Sequence, residues 1–314
     1  MYTQTFLPFP DKFHVVAVQV ATVWTAPDSP REMDRLAITN PTNIRAWLEN
    51  QTYEDKVNLC EDNRVQTQAL YGEAVLIQEV RGGWAKITIP AQATKKNEQG
   101  YPGWIPICQL AEVEKKNWQK EKTAAISVKH IWLKNEQGER ELELSFMTCL
   151  PVLNVHADSV EVVTPKGVGY LPKEAVKIFP TEIGGEKGGG EAIIRSGENF
   201  IGLDYLWGGM SSFGFDCSGF AYTMHKANGY EISRDASDQS ERGQEIPFDK
   251  VMPGDLLFFA YQEGDRKGYV HHVGFYYGDG RMLHSPQTGK GIEITNLKDT
   301  KYEKELCIAR RYWF

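Results

Sequence analysis

At 314 residues the chain is longer than one ordinary domain, so two or three are expected. Its 41% hydrophobic and 25% charged content is that of a globular protein, neither disordered nor fibrous. A net charge of −7, without a dense run of Lys and Arg, argues against a nucleic-acid partner. No stretch approaches the ~20 consecutive apolar residues of a membrane span.

Residues 1–8, Met-Tyr-Thr-Gln-Thr-Phe-Leu-Pro, lack the basic start and continuous apolar run of a signal peptide. Either the protein stays inside the cell, or a signal was removed and it works in the periplasm or outside. Five cysteines (Cys60, Cys108, Cys149, Cys217, Cys307) are dispersed and odd in number, with no CxxC pair. That pattern argues against a zinc site and suits a reducing compartment, so a cytoplasmic location and no metal or cofactor are expected.

In chain order, Phe13 to Thr25 alternates apolar and polar residues and reads as one strand ending at Ala26-Pro27. Residues 31–64 read as partly helical, with Ile44, Trp47 and Leu48 at helical spacing. Strand patterns return at Ala74–Val80, Trp84–Ile89 and Gly103–Ile107, the first two separated by Arg81-Gly82-Gly83. A second series follows at Ile126–Leu133, Leu142–Phe146, Val160–Val163 and Gly169–Leu171. Short strands with Gly-rich turns predict small barrels, here two, the first carrying a helical insertion.

This pattern resembles a pair of bacterial SH3-like (SH3b) domains. The first is carried by Val20-Ala21-Thr22-Val23-Trp24, Gly83-Trp84-Ala85-Lys86-Ile87 and Gly103-Trp104-Ile105. The second rests on Ser145-Phe146, Leu150-Pro151-Val152 and Gly169-Tyr170-Leu171-Pro172. Residues 181–190, rich in glycine, read as a flexible linker. The expected domains are therefore 1–115, 116–182 and 190–314.

After the linker, Asp216 sits where an N-cap belongs, and Phe220, Ala221, Met224 and Ala227 have helical period up to Gly229. Cys217 then falls in the first turn of a helix, whose unpaired N–H groups and dipole favour a thiolate and can hold an oxyanion. Alone, such a cysteine is as often a small core residue.

Downstream, residues 271–277 and 281–284 read as two strands around Gly278-Asp279-Gly280. A three-residue loop pairs Tyr277 with Arg281 and sets Gly274 opposite His284, which makes His272 and His284 diagonal neighbours on one face. Two histidines so placed suit a base and the group that orients it. A His pair on a sheet is usually structural, and a zinc reading lacks a third ligand. With Cys217 upstream the catalytic arrangement prevails. Period two puts His271 on the opposite face, and His225 is expected at a surface or packing position.

Residues 190–314 closely resemble the NlpC/P60 family of cell-wall peptidases. The matching motifs are Tyr-Leu-Trp-Gly-Gly (205–209), Asp-Cys-Ser-Gly-Phe (216–220), Arg-Asp-Ala-Ser-Asp-Gln (234–239), Pro-Gly-Asp-Leu-Leu-Phe-Phe (253–259) and His-Val-Gly-Phe-Tyr (272–276), with His284 following. The resemblance implies an α+β fold, a papain-like domain preceded by two SH3b-like barrels. It also implies a cysteine peptidase cutting the γ-D-glutamyl–diamino-acid bond of peptidoglycan peptides. Cys217, His272 and His284 would be nucleophile, base and third polar residue, with Tyr205 helping the oxyanion hole.

The whole chain resembles the subgroup that recycles murein peptides with a free N-terminal L-alanine. For the amine this implies Asp235, Glu73 and Tyr101, with Asp216, Ser218 and Ala236 lining the same pocket. The competing readings are a secreted hydrolase of intact wall and a wall-binding protein with an inactive catalytic domain.

Overall fold

The computed structural model describes residues 9–263 and 266–314. The first eight residues, which bear on the signal-peptide reading, lie outside the described residues. The chain divides into two compact units, Met1–Gly185 with Met210–Phe213, and Glu186–Gly209 with Gly214–Phe314.

The first unit begins with β1 (Lys12–Val16) and β2 (Val20–Trp24), not the single strand expected from 13 to 25. All five residues of β2 are buried, so apolar side chains run through without a period, and no glycine or proline marks the break. Three helices follow, α1 (Arg35–Ile38), α2 (Ile44–Glu49) and α3 (Tyr53–Glu61). Local capping sets their starts: Asn43 accepts from the N–H of Ala46, and Thr52 and Asp55 form a reciprocal capping box. The sheet continues with β3 (Val65–Leu70), β4 (Ala74–Arg81), β5 (Trp84–Ile89), β6 (Tyr101–Pro106) and β7 (Leu110–Glu114).

After α4 (Lys115–Trp118) a second series runs β8 (Lys122–Ile126), β9 (His130–Lys134), β10 (Arg140–Ser145), β11 (Cys149–Val155), β12 (Ser159–Thr164), β13 (Gly167–Pro172) and β14 (Val176–Pro180). The expected strand 126–133 is again two strands with a turn between. The first sheet has the order β3-β2-β6-β5-β4-β1-β7, the second β10-β9-β13-β12-β11-β8-β14. The two orders are the same once seven is added to each strand number, an internal repeat hidden by divergent sequence.

Val23, Ile87 and Ile105 fill the first core. Phe13, Tyr71 and Trp118 join Ile126, Leu144 and Val160 in a cluster shared by both sheets of this unit. Each such side chain contributes roughly 1.5–3 kcal/mol by leaving water.

The second unit opens with α5 (Gly190–Glu198), so residue 190, expected to end a flexible linker, starts a helix. It is glycine because a Cβ there would lie 1.9 Å from the carbonyl oxygen of Pro253. α6 (Cys217–Lys226) and α7 (Ala236–Ser240) precede the sheet. Its strands are β15 (Gln244–Glu245), β16 (Leu256–Glu263), β17 (Arg266–Gly278), β18 (Arg281–His284), β19 (Glu293–Asn296) and β20 (Leu306–Arg311), with α8 (Lys301–Glu305) before the last. The order is β15-β20-β16-β17-β18-β19, a helix-on-sheet α+β layer with Phe220 of α6 packed edge-on against Phe275 of β17.

The hairpin of β17 and β18 closes differently from expectation. Gly278, not Tyr277, pairs with Arg281 across a two-residue turn in which Asp279 and Gly280 both have positive φ. The register then shifts between Tyr276 and Gly278, leaving Tyr277 as the extra residue of a bulge. Beyond the bulge Tyr276 pairs with Met282 and Phe275 with Leu283, the register a three-residue loop also gives. The two histidines therefore meet despite a different turn.

Candidate active site

The start of α6 is fixed by Asp216, whose backbone is extended and whose Oδ1 accepts from the N–H of Gly219 at 2.6 Å. Arg234 holds the same carboxylate with both terminal nitrogens, at 2.6 Å to Oδ2 and 3.1 Å to Oδ1. Arg234 also donates to Ser218 Oγ at 2.9 Å, and Ser218 donates to Asp216 Oδ1 at 3.1 Å. Arg234 is only 1% exposed, so this paired, hydrogen-bonded form is how the charges tolerate burial. Gln239 of α7 adds donations to the carbonyls of Ser218 and Ser233. Asp216 and Ser218, expected to line a pocket, thus spend their side chains on bracing the cysteine turn.

Cys217 is partly exposed, and its sulfur receives main-chain hydrogen bonds from Val273 and Ser218. The helix start was expected to favour a thiolate, yet burial pushes the thiol up to about 12, and the Asp216 charge adds to it. The main-chain bonds and Arg234 pull the other way without prevailing. At neutral pH the sulfur therefore rests as a thiol.

Val273 follows His272 in β17, so the strand that touches the sulfur also carries the imidazole. His272 Nε2 lies 2.8 Å from His284 Nδ1, and both residues are buried. His284 Nε2 continues to Thr295 Oγ1 at 3.2 Å, and Thr295 donates to Glu293 Oε1 at 3.2 Å. Burial holds His272 well below the usual histidine range, with His284, His271 and Lys301 adding to it. Burial likewise lowers His284 to about 3, assisted by Lys290 and Lys301. Both imidazoles are neutral at physiological pH.

Tyr302 of α8 lies against both rings, with centroids 5.4 Å from His272 and 5.2 Å from His284. Its phenol is raised to about 12 by burial, and the charges of Glu293, Cys217 and Glu305 contribute.

The remaining expected residues are placed as follows. Tyr205 is buried and forms a bridge with Phe215, two residues before Cys217. Asp235 occupies the N-cap position of α7, and Ala236, buried, is its first residue. Glu73 and Tyr101 belong to the first unit, where each already has partners. Glu73 accepts from the N–H of Leu70 at 2.9 Å and lies 3.4 Å from Gln92 Nε2. Tyr101 is 2% exposed, and its hydroxyl hydrogen-bonds Lys96. His271 is not carried to the opposite face as expected. It is the extra residue of a bulge where β17 pairs with β16, so its ring lies beside that of His272, centroids 6.4 Å apart at 28°, stacked on Tyr261 and 3.3 Å from Glu305. His225 is wholly buried against Phe275, Tyr230 and Tyr312, the packing alternative of the two expected.

Sequence reasoning missed Arg234, Thr295 and Tyr302. Arg234 had a signal, since a buried N-cap aspartate beside a cysteine needs a cationic partner within the same motif set. Tyr302 had none, because its helix is short and reaches the site only through the sheet.

Comparisons with known proteins agree with this geometry. Residues 202–311 match the NlpC/P60 family, and residues 126–179 match the YKFC SH3b2 domain. The chain is 47% identical over 299 residues to the gamma-D-glutamyl-L-lysine dipeptidyl-peptidase of Bacillus subtilis, covering 95% of this chain and 98% of that protein. It is 36% identical to the Bacillus cereus protein of the same name, over 95% of this chain and 90% of the other. The crystal structure of an NlpC/P60 family protein from Bacillus cereus superposes with a TM-score of 0.91 at 36% identity, over 96% of this chain and all of that one. With two relatives matched along nearly their whole length, and with a cysteine at a helix start beside a histidine pair on the facing sheet, the chain belongs to the NlpC/P60 family and is a cysteine peptidase of it.

Proposed function

We propose that the protein hydrolyses the γ-D-glutamyl–diamino-acid bond of muropeptides with a free N-terminal L-alanine, using Cys217 as nucleophile, His272 as base and His284 as its orienting partner. The observation that carries the reading is the 2.8 Å contact between His272 and His284, on the strand whose next residue hydrogen-bonds the Cys217 sulfur. The names of the relatives, gamma-D-glutamyl-L-lysine dipeptidyl-peptidases, support the substrate class.

With thiol and imidazole both neutral at rest, the proton moves as the bond forms. The sulfur attacks the γ-carbonyl carbon of D-glutamate while His272 takes the thiol proton. Because Nε2 of His272 is engaged by His284, Nδ1 is the nitrogen left for the sulfur. The carbonyl oxygen becomes an oxyanion facing the first-turn N–H groups, of which Asp216 has already claimed that of Gly219. Tyr205 is proposed to assist there. The imidazolium then protonates the departing amine, and water, deprotonated by the same ring, opens the thioester.

Recognition of the free ammonium is assigned to Asp235, with Glu73, Tyr101 and the main chain of Ala236 contributing. A cytoplasmic location is the setting in which free muropeptides are met.

The test is turnover of L-Ala-γ-D-Glu-diaminopimelate and of its lysine counterpart beside N-acetylated copies. Free peptides should be cut and blocked ones should not, since loss of the charge leaves the pocket's carboxylates unpaired. Equal cleavage of blocked peptide or intact wall would overturn the reading.

A further inference from the structure

His284 does not end the chain of hydrogen bonds. Its Nε2 meets Thr295 Oγ1, and Thr295 meets Glu293 Oε1, each at 3.2 Å, from positions 295 and 293 of β19. Nothing in the mechanism above uses these two residues, yet the chemistry of each atom sets the direction of every bond. A carboxylate only accepts, so the Thr295 hydroxyl points its hydrogen at Glu293. The threonine oxygen is then left as acceptor, and His284 carries its proton on Nε2. That leaves His284 Nδ1 as acceptor for a proton on His272 Nε2. The lone pair of His272 is thereby on Nδ1, the nitrogen left for the thiol.

We infer that Thr295 and Glu293 are positioning residues that lock the tautomers of His284 and, through it, of His272. The inference rests on the roles proposed above for Cys217 and His272. The lock matters here because the pair is neutral at rest. A preformed thiolate and imidazolium would carry protons on both ring nitrogens and have no tautomer to choose.

The reverse arrangement shows what the hydroxyl prevents. With no acceptor at Thr295, the buried His284 would favour its proton on Nδ1 and donate it to His272 Nε2. His272 would then hold its own proton on Nδ1, facing the sulfur, with no lone pair to receive another. The charged and titratable groups facing His284 are His272 from β17, Glu293 from β19, Lys290 before that strand, and Lys301 with Tyr302 from α8. Lys290 lies 3.9 Å from Glu293 Oε1, on the same oxygen that accepts from Thr295.

The experiment uses the whole protein with 15N-labelled histidine. Nitrogen NMR reads the tautomers of His284 and His272 in wild type, Thr295→Val, Thr295→Ser and Glu293→Ala, with kcat and KM measured on the same samples. Valine keeps the branched shape of threonine in a half-buried strand position, so the fold should hold. Thr295→Val should move His284 to the Nδ1–H form and lower kcat by at least about tenfold, with KM nearly unchanged. Thr295→Ser should restore both, and Glu293→Ala should give a partial tautomer shift and a loss of about two- to fivefold. The inference is overturned if Thr295→Val retains the wild-type tautomers, or if it keeps full kcat with them changed. The spectra report the lock whether or not the peptide assignment holds, so the two can fail separately.

Discussion

The first unit hides neutral polar groups, and the second hides charged and titratable ones. In the first, Thr67, Gln68, Gln92 and Gln109 are at most 1% exposed, and their partners include one another, main-chain carbonyls and, for Gln68, the Met210 N–H and the Ser211 hydroxyl, from which it accepts. Thr67 donates to Gln92, Gln92 to the carbonyl of Gln68, and Gln109 to those of Ala37 and Thr39. Asp34, held by Arg31 and Trp47, is the buried carboxylate among the described residues of this unit. The second buries His225, His272 and His284, the Asp216–Arg234 pair, and Asp255 clamped by Arg311 at 2.7 Å through two nitrogens. A barrel needs its polar groups only satisfied. A site that moves protons needs groups whose protonation the surroundings have already shifted.

The sharpest way to break the contrast is to remove the reacting groups. Cys217→Ala and His272→Ala should each lower kcat by about 10³-fold or more, equivalent to at least ~4 kcal/mol of barrier, while the circular dichroism stays native. Retained activity in either would reduce those residues to core packing.

Next in size is the buried ion pair. Arg234→Met leaves Asp216 charged, buried and without its cation, which should cost roughly 3–5 kcal/mol in urea unfolding. A loss under about 1 kcal/mol would mean that water reaches Asp216 and the pair is not buried in solution.

Acid should then separate the units. His225 has a pKa lowered to about 4 by burial, against about 6.5 when unfolded, so the unfolded chain takes the proton first. The stability conferred by the neutral ring is whole above pH 6.5 and is lost as the pH falls toward 4, up to about 3 kcal/mol. His284 and His272 act in the same direction. Hydrogen exchange followed peptide by peptide should show residues 214–314 loosening in that window before β1–β7, and His225→Met should flatten the slope. The depressed histidines also put the acid limb of kcat/KM below the ordinary imidazole range. A limb at or above 6.5 would contradict the burial.

The smallest effect belongs to the neutral network. Thr67→Val removes one hydroxyl bond to Gln92 at nearly constant shape and should cost about 1 kcal/mol, equally at pH 5 and pH 8. A cost that changes with pH would show that the cluster is not a neutral network.

The chemistry was more legible in the sequence than the architecture. Asp216 before a run of helical period announced the turn that presents Cys217, and the hairpin register paired His272 with His284, although a bulge at His271 broke the alternation expected to turn that ring away. Those are local rules. The strands β3, β7 and β14 escaped because they are short and are held in place by pairing with β2, β1 and β8, which no window of sequence displays. The breaks after Val16 and Ile126 escaped because their turns contain neither glycine nor proline. The hairpin is a subtler case, since turn and bulge together add up to the same count as a longer loop. Thr295 reaches His284 only after β19 has folded beside β18, a pairing with no counterpart in local pattern.

Gly190 and Gly254 also mark where this protein can be cut and rejoined. A methyl on Gly254 would sit 2.4 Å from the Cα of Gly190, and one on Gly188 would meet Asn228 at 2.5 Å. Gly184, by contrast, faces open space, though its positive φ of 81° asks for glycine or asparagine. A splice that grafts a different N-terminal module onto the peptidase should therefore fall at or before 184–187. Moved even a few residues downstream, the seam would put foreign side chains where two backbones touch, and the chimera would fail in assembly before its activity could be assayed.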